Sequence, residues 1–448
     1  MDYTKAKALL QSIDELHLLD GWEMLSDEKQ QALLLDIALL DLQELKNQKS
    51  LLEKSNAIPQ HQAISPFTDY ALSGNDSNFT RGKKLIAEGK VGCLLIAGGQ
   101  GTRLGIKGPK GTYPVTCIQH KSLFQLAAEK VVAAGIQANR ELPLAIMTSK
   151  ENHEETVQFF LNHDNFGLKK EQLSFFSQKS LPFLDKSGHL FFETPSKIAK
   201  GPAGNGNALI DFYQEGPGAA WQAQGIAYIN FILVDNPLAD PFDAELVGYL
   251  SKQGSDITIK CTIKTDPQES VGILGYIDKK ACVIEYTEMP AKLKTLENED
   301  GTLLYKCANL SLFCFSTTFI QAIAQDKTLS LPLHKVLKPA NCLGEKIQAW
   351  KYEKYIFDLL SRGKVSALLY PRESCFAPVK NLNGNDSPIT AAKMIEECDR
   401  QQMEKITGQK IDLKEGRLEI HPQFYYPIPA LLNQWKGRIV QGGGYLEM

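Results

Sequence analysis

The sequence predicts an α/β fold: a Rossmann-like mixed, mostly parallel sheet flanked by helices, with a helical N-terminal region and a small β-rich C-terminal unit. Three observations predict it. Short, continuous apolar runs such as VGCLLIAGG at 91–99 and the long run within GIAYINFILVDNPLADP at 225–241 read as strands buried on both faces. These runs alternate with helix-like segments of about 10–15 residues, the pattern of βαβ units. The first of them meets the glycine-rich turn GGQGTRLGIKGPKG, at the carboxyl end of a strand, where open parallel sheets bind ligands.

The elements follow in order. Residues 1 to about 55 are predicted helical, with Ser26 as an N-cap ahead of acidic residues in the first turn. A looser stretch, AISPFTDYALSGNDSNF, places a boundary near 80–88. Then come a strand at VGCLLIAGG and a helix at SLFQLAAEKVVAAG, predicted to end at Gly135. LPLAIMTS is the next strand, ENHEETVQFFLNH a helix, QLSFFSQ a strand, and GNGNALIDFYQ opens another helix. DITIKCTI, SVGILGYI, ACVIEYTEM and LLYKCANLSLFCFS imply an added antiparallel subsheet. The tail reads as a small strand-and-turn unit. The resulting division is a helical region 1–87, a catalytic domain 88–392 and a small domain 393–448.

Composition excludes several function classes. The chain has 448 residues, long enough for a large core, with 43% apolar and 23% charged residues, as in ordinary globular proteins. A net charge of −3 offers no general attraction to nucleic acid or to an anionic membrane. Nine scattered cysteines without a CxxC pair fit reduced thiols of a cytoplasmic protein, not a disulfide framework or a zinc site. No run reaches the roughly 18–20 apolar residues that a membrane span needs. The sequence leaves the oligomeric state open.

The glycine turn carries the chemistry. Glycines let backbone N–H groups approach and cradle an anion. A tight structural turn is the competing reading of a bare GxG, but Arg103, Lys107 and Lys110 have no purpose in one. No GxxxxGK[ST] occurs anywhere, which argues against a P-loop ATPase. The dinucleotide fingerprint fails as well: after Gly99 and Gly101 the next glycine, Gly105, falls one residue late. Asp235 ends the most apolar strand, where a carboxylate is costly unless it is paired, capping or on a metal.

LLIAGGQGTRLGIKGPKG resembles the opening motif of the UTP-using sugar nucleotidyltransferases, the pyrophosphorylases, and most of all the eukaryotic-type UDP-N-acetylglucosamine pyrophosphorylases. The resemblance continues in order through SQKSLPFL, GPAGNGNAL, ILVDNPLADP, CANLSLFCF, WKYEKYIFDLL and RESCFAPVKNLNGNDSPITA, across residues 90 to 392. It implies the nucleotide-diphospho-sugar transferase fold. It also implies a reaction, UTP plus sugar 1-phosphate giving UDP-sugar plus pyrophosphate, with Mg²⁺ as cofactor. The attacking phosphate oxygen is already ionised, so positive charge and in-line positioning are what the reaction needs. By resemblance, Gly98, Gly99, Gly101 and Thr102 hold the nucleotide, Arg103 meets the β- and γ-phosphates, and Lys110 meets the α-phosphate. Gln178 reads the uracil edge, with Pro202 and Gly204 at the turn that holds the base. Asn205, Glu285 and Asn309 face the sugar, Lys380 the sugar phosphate, and Asp235 the metal. Two departures bear on sugar choice. Ala203 stands where the family often has Asp, with Lys200 upstream as a change of local charge, and Pro237 follows Asp235-Asn236. The sugar is N-acetylglucosamine 1-phosphate by resemblance. Glucose 1-phosphate or broad specificity is the alternative, and a non-catalytic nucleotide-sugar sensor is a further one.

Overall fold

The computed structural model describes residues 1–52, 63–412, 416–440 and 443–448; the last residues of the predicted helical region, 53–55, lie outside them. The described residues form two units. One comprises those of Met1–Pro59, Gln178–Asn207 and Ser330–Asp358, and the other those of Gln60–Ser177, Ala208–Leu329 and Leu359–Met448.

The larger unit is built on an eleven-stranded sheet. Its main path runs Tyr70–Leu72, Val365–Tyr370, Ile257–Ile263, Cys307–Ser316, Tyr228–Leu233, Val91–Ile96, Leu144–Thr148, Leu173–Ser177. Neighbours are parallel except around Cys307–Ser316, which is antiparallel to both of its partners. Ile64–Pro66, Ile273–Ile277 and Lys280–Ile284 form an antiparallel extension. The α/β expectation therefore holds, but of the four segments expected to form the added antiparallel subsheet only SVGILGYI and ACVIEYTEM do so; DITIKCTI and LLYKCANLSLFCFS supply central strands of the main sheet. The apolar runs are central strands because both faces are covered: Leu144–Thr148 is buried at every position.

Helices close the faces. Leu123–Ala138 is capped by Ser122 and ends at Asn139, in the left-handed conformation at φ 50°. Gly135 is thus not the stop that the sequence implied. It is a point of close approach, where an added Cβ would lie 2.8 Å from the Arg140 carbonyl oxygen. The loose stretch after residue 62 holds two three-residue edge strands and the helix Asp76–Ala87. That helix packs backbone to backbone on Ala244–Gln253: a Cβ on Gly82 would fall 1.7 Å from the Ala244 carbonyl oxygen.

The C-terminal segment begins with Pro388–Thr407, capped by Ser387 and ended by Gly408 at φ 71°. Leu418–Ile420 pairs in parallel with Gly444–Leu446, and the tail also holds a short helix, Pro429–Trp435. Asp399 ties the long helix to this tail, accepting from Tyr425 Oη at 2.6 Å and from the Ile420 N–H at 3.2 Å. Burial pushes its carboxyl up to about 7. A carboxyl whose folded pKa lies above its unfolded value stabilises the fold at low pH and loses that contribution as pH rises through the folded pKa. The melting temperature is therefore expected to fall between about pH 4 and 7 by this contribution. Asp399→Asn should flatten that slope in a thermal-melt series.

The smaller unit packs the helices Tyr3–Ser12, Asp27–Ala38 and Leu42–Leu52 with a long hairpin, His334–Cys342 and Glu345–Glu353. Ser26 caps the second helix as predicted, accepting from the Lys29 N–H. Its apolar core includes Leu10, Leu33, Ile37, Leu45, Ile198 and Tyr352. Two short ladders complete it: Ser180–Pro182 with Lys200–Pro202, and Phe192–Thr194 with Lys197–Ile198.

Candidate active site

Three loops of the larger unit converge at one end of the sheet. Val91–Ile96 and Tyr228–Leu233 are adjacent parallel strands, Ile96 opposite Leu233, so the glycine turn and Asp235 leave side by side. The antiparallel register, with Phe231 opposite Phe313, brings the start of Cys307–Ser316, and Asn309 with it, to the same end. The third loop is docked by the Val379 N–H, which donates to the Asp235 carbonyl oxygen at 2.7 Å and sets Lys380 next in the chain.

The glycine turn folds back on itself. The Gly101 N–H donates to the Gly108 carbonyl at 2.9 Å, and the Lys110 N–H to the Gly99 carbonyl at 3.1 Å. Asn152, buried and missed by sequence reasoning, ties the turn down: its Nδ2 donates to the Ala97 carbonyl at 2.9 Å and to the Gly99 carbonyl at 3.3 Å. The glycines divide by role. A Cβ on Gly101 would meet Ile106 Cγ1 at 2.3 Å, so glycine there serves the turn itself. A Cβ on Gly99 would meet nothing within 4 Å. Gly99→Ala is therefore expected to leave the melting temperature within about 1 °C while raising the KM for nucleotide several-fold, because the methyl enters the ligand's space. An unchanged KM would make Gly99 a plain turn residue.

The cations are arranged in depth. Thr102 and Arg103 are exposed in a single 3₁₀ turn, and no described residue pairs with Arg103. Lys110 is buried, and its Nζ lies 3.4 Å from Asp235 Oδ2. Lys380 is half-exposed, with its Nζ 3.8 Å from Asp386 Oδ2. The structure thus brings Lys110, Asp235 and Lys380 together around one strand end.

Asp235 fits a hard divalent cation, though only as one ligand among several. The only described grouping of three His, Cys, Asp or Glu ligand atoms close enough to share an ion is Glu15, His17 and His189, in the smaller unit. There Lys49 already pairs with the carboxylate of Glu15. At Asp235 the described residues gather no such group of three, which suits a cation whose other ligands include phosphate oxygens and water.

Glu285 and Asn309 meet through Gly272. The Gly272 carbonyl accepts from the Asn309 N–H at 2.9 Å, and a Cβ on Gly272 would lie 3.1 Å from Glu285 Oε1. Asn309 sits at a register shift of its strand, its Oδ1 accepting from the Ser311 N–H at 3.0 Å.

In the smaller unit, the ladder with Ser180 opposite Pro202 gathers Gln178, Pro202 and Gly204. The Ala203 N–H donates to the Lys179 carbonyl at 3.0 Å. Gln178 is buried, and its Oε1 has no hydrogen-bond partner among the described residues. An unsatisfied buried acceptor is costly unless a ligand completes it. Gly204, at φ 83°, lies under the Lys354 carbonyl, which a Cβ would approach to 2.5 Å. Asn205 is partly committed: its Oδ1 accepts from the Ile356 N–H at 3.0 Å. Lys200 is paired with Asp36, so it adds no free charge to the turn as the sequence implied. Ala203 is 4% exposed within the apolar core. Ala203→Asp is therefore expected to destabilise the fold by about 2–4 kcal/mol, the cost of burying a carboxylate without a partner. Urea unfolding measures it, and an unchanged midpoint would show that the new carboxylate finds a partner.

The sequence profile of a family described as UTP–glucose-1-phosphate uridylyltransferase matches residues 39–412. The UDP-N-acetylglucosamine diphosphorylase 2 of Arabidopsis thaliana is 33% identical over 84% of this chain and 79% of its own length. The UDP-N-acetylglucosamine pyrophosphorylase of Saccharomyces cerevisiae is 31% identical over 87% of this chain and 88% of its own. The uridine diphosphate N-acetylglucosamine pyrophosphorylase of Trypanosoma brucei shares the fold, with a TM-score of 0.83 at 24% identity, covering 98% of this chain and 97% of that one.

Proposed function

The chain belongs to the UTP–glucose-1-phosphate uridylyltransferase family, and from that premise we propose that it makes UDP-N-acetylglucosamine and pyrophosphate from UTP and N-acetylglucosamine 1-phosphate. The observation that carries the reading is the Lys110–Asp235 pair at 3.4 Å, set between the glycine turn and the Lys380 loop. An anion-binding turn, a buried ammonium, a metal-type carboxylate and a second lysine are the groups this chemistry uses.

In the proposed reaction an oxygen of the sugar phosphate forms a bond to the α-phosphorus of UTP. The bond from that phosphorus to the α–β bridging oxygen breaks, and pyrophosphate leaves. The nucleophile is already an anion, so no side chain has to take a proton. The barrier is the repulsion of two anions and the charge that grows on the leaving group, which fixed cations lower. Lys110 faces the α-phosphate, Arg103 the outer phosphates and Lys380 the sugar phosphate. The main chain of Gly98, Gly99, Gly101 and Thr102 cradles the nucleotide. Gln178, with its unmatched acceptor, reads the base edge beside Pro202 and Gly204, and Asn205, Glu285 and Asn309 face the sugar. Mg²⁺ bound at Asp235 would neutralise phosphate charge. Residues 88–392 are the catalytic region on this reading. The nine free cysteines fit a cytoplasmic setting, and among the described residues no helix is long and apolar enough to cross a membrane.

The test is pyrophosphate release from purified protein with UTP and Mg²⁺, run with N-acetylglucosamine 1-phosphate, with glucose 1-phosphate and without sugar. Release dependent on the acetylated sugar is expected. Preference for glucose 1-phosphate would move the chain to the reaction its family is described by. No release with either sugar, while UTP still binds, would leave a nucleotide-sugar sensor.

A further inference from the structure

Asn236 stands between Asp235 and Pro237, and the proposed reaction gives it no role. It is 4% exposed, and both ends of its side-chain amide bond the 375–379 segment. Its Nδ2 donates to the Cys375 carbonyl at 2.8 Å, and its Oδ1 accepts from the Ala377 N–H at 3.0 Å. With the Val379 N–H on the Asp235 carbonyl at 2.7 Å, alternate residues of the 375–379 segment are stitched to residues 235–236. Cys375, Ala377 and Val379 are each no more than 2% exposed. Phe376 and Lys380 fall together away from the seam, with Lys380 Nζ 5.6 Å from the Phe376 ring centre.

The side chain is itself held. Oδ1 also accepts from the Leu238 N–H at 3.3 Å, an Asx turn across Pro237. Proline has no N–H to compete for that oxygen, and its fixed φ keeps the turn closed. The position needs a donor and an acceptor in one small planar group. Asp lacks the donor, and an apolar residue lacks both, leaving a carbonyl and an amide buried and unmatched.

We infer that Asn236 is a positioning residue that sets the Lys380 loop on the Asp235 strand end, and so acts on the sugar phosphate through Lys380. The inference rests on the proposed role of Lys380. Asn236→Ala is expected to raise the KM for the sugar 1-phosphate about tenfold, the scale of one or two lost buried hydrogen bonds, while the KM for UTP changes by less than about twofold. A merely structural role would lower the amount of active enzyme and leave both KM values alone. Lys380→Ala should raise the same KM, and the double variant should be little worse than Lys380→Ala, because Asn236 has then lost the group it positions.

Initial rates for the four proteins, with circular dichroism and melting temperatures, decide it. A sugar-phosphate KM effect that is non-additive with Lys380→Ala supports the inference. Unchanged KM values in folded Asn236→Ala, or additive losses, overturn it and leave the transferase reading standing. Lys380→Ala without effect in an active enzyme overturns the role of Lys380, and this inference with it. Should Asn236→Ala not fold, Asn236→Asp keeps the volume and both acceptor bonds and exchanges only the donor. The same confinement to the sugar-phosphate KM is then expected, and equal changes in both KM values would overturn the inference.

Discussion

Lys110→Ala is expected to lower kcat by about 10²–10³ while the KM for UTP shifts by no more than a few-fold. Lys110 is buried, and its ammonium lies 3.4 Å from the Asp235 carboxylate, so its charge is held in a sparsely hydrated place. Charge there is worth most when negative charge peaks, which is in transfer and not in binding. The glycine turn and the exposed Arg103 remain to hold the triphosphate. The loss should thus appear in single-turnover rates at saturating UTP. Lys110→Arg is expected to recover little, since a planar guanidinium does not fit the space of a compact ammonium. Full turnover in Lys110→Ala would remove the residue from the reaction.

The second large effect is expected of Asp235→Asn. The substitution keeps the volume and the backbone acceptor for Val379, and removes only the charge. Turnover at saturating Mg²⁺ should fall by roughly two orders of magnitude or more, and the Mg²⁺ needed for half-maximal rate should rise. It also deprives Lys110 of its charged partner. The contact is long at 3.4 Å, and the amide oxygen that replaces the carboxylate can still accept from the ammonium, so the stability change should stay at about 1–2 kcal/mol. A melting temperature that holds while turnover collapses separates a chemical role from a structural one. Near-normal turnover would place the cation elsewhere.

The two experiments rest on features that were unequally legible before the fold was known. Strands such as Val91–Ile96 and Leu144–Thr148 could be read because burial on both faces writes a continuous apolar run into the chain. The hairpin His334–Cys342 and Glu345–Glu353 could not. Much of it is half-exposed, and its two-residue turn is Leu343-Gly344, with Leu at φ 51° in place of the Asn or Asp that marks such turns. The tight packing of Gly135 against Arg140 was hidden in the same way, since a glycine reads as a stop whether it ends a helix or admits a neighbour.

At the site, residue types and order were enough for the glycine turn, its cations, Asp235 at the end of an apolar strand, and the resemblance that named the reaction. Those are local properties: glycine content, charge in a turn and a carboxylate after a buried run are readable wherever they stand. What each residue does for the fold was decided only by contacts between segments far apart in the chain. Ala203 lies in a core and Lys200 on Asp36; Asn152 holds the turn 53 residues before it, and Asn236 holds a loop 139 residues on. Hydrogen bonds and close packing act over a few ångströms of space, and only the folded chain brings those residues within reach of one another.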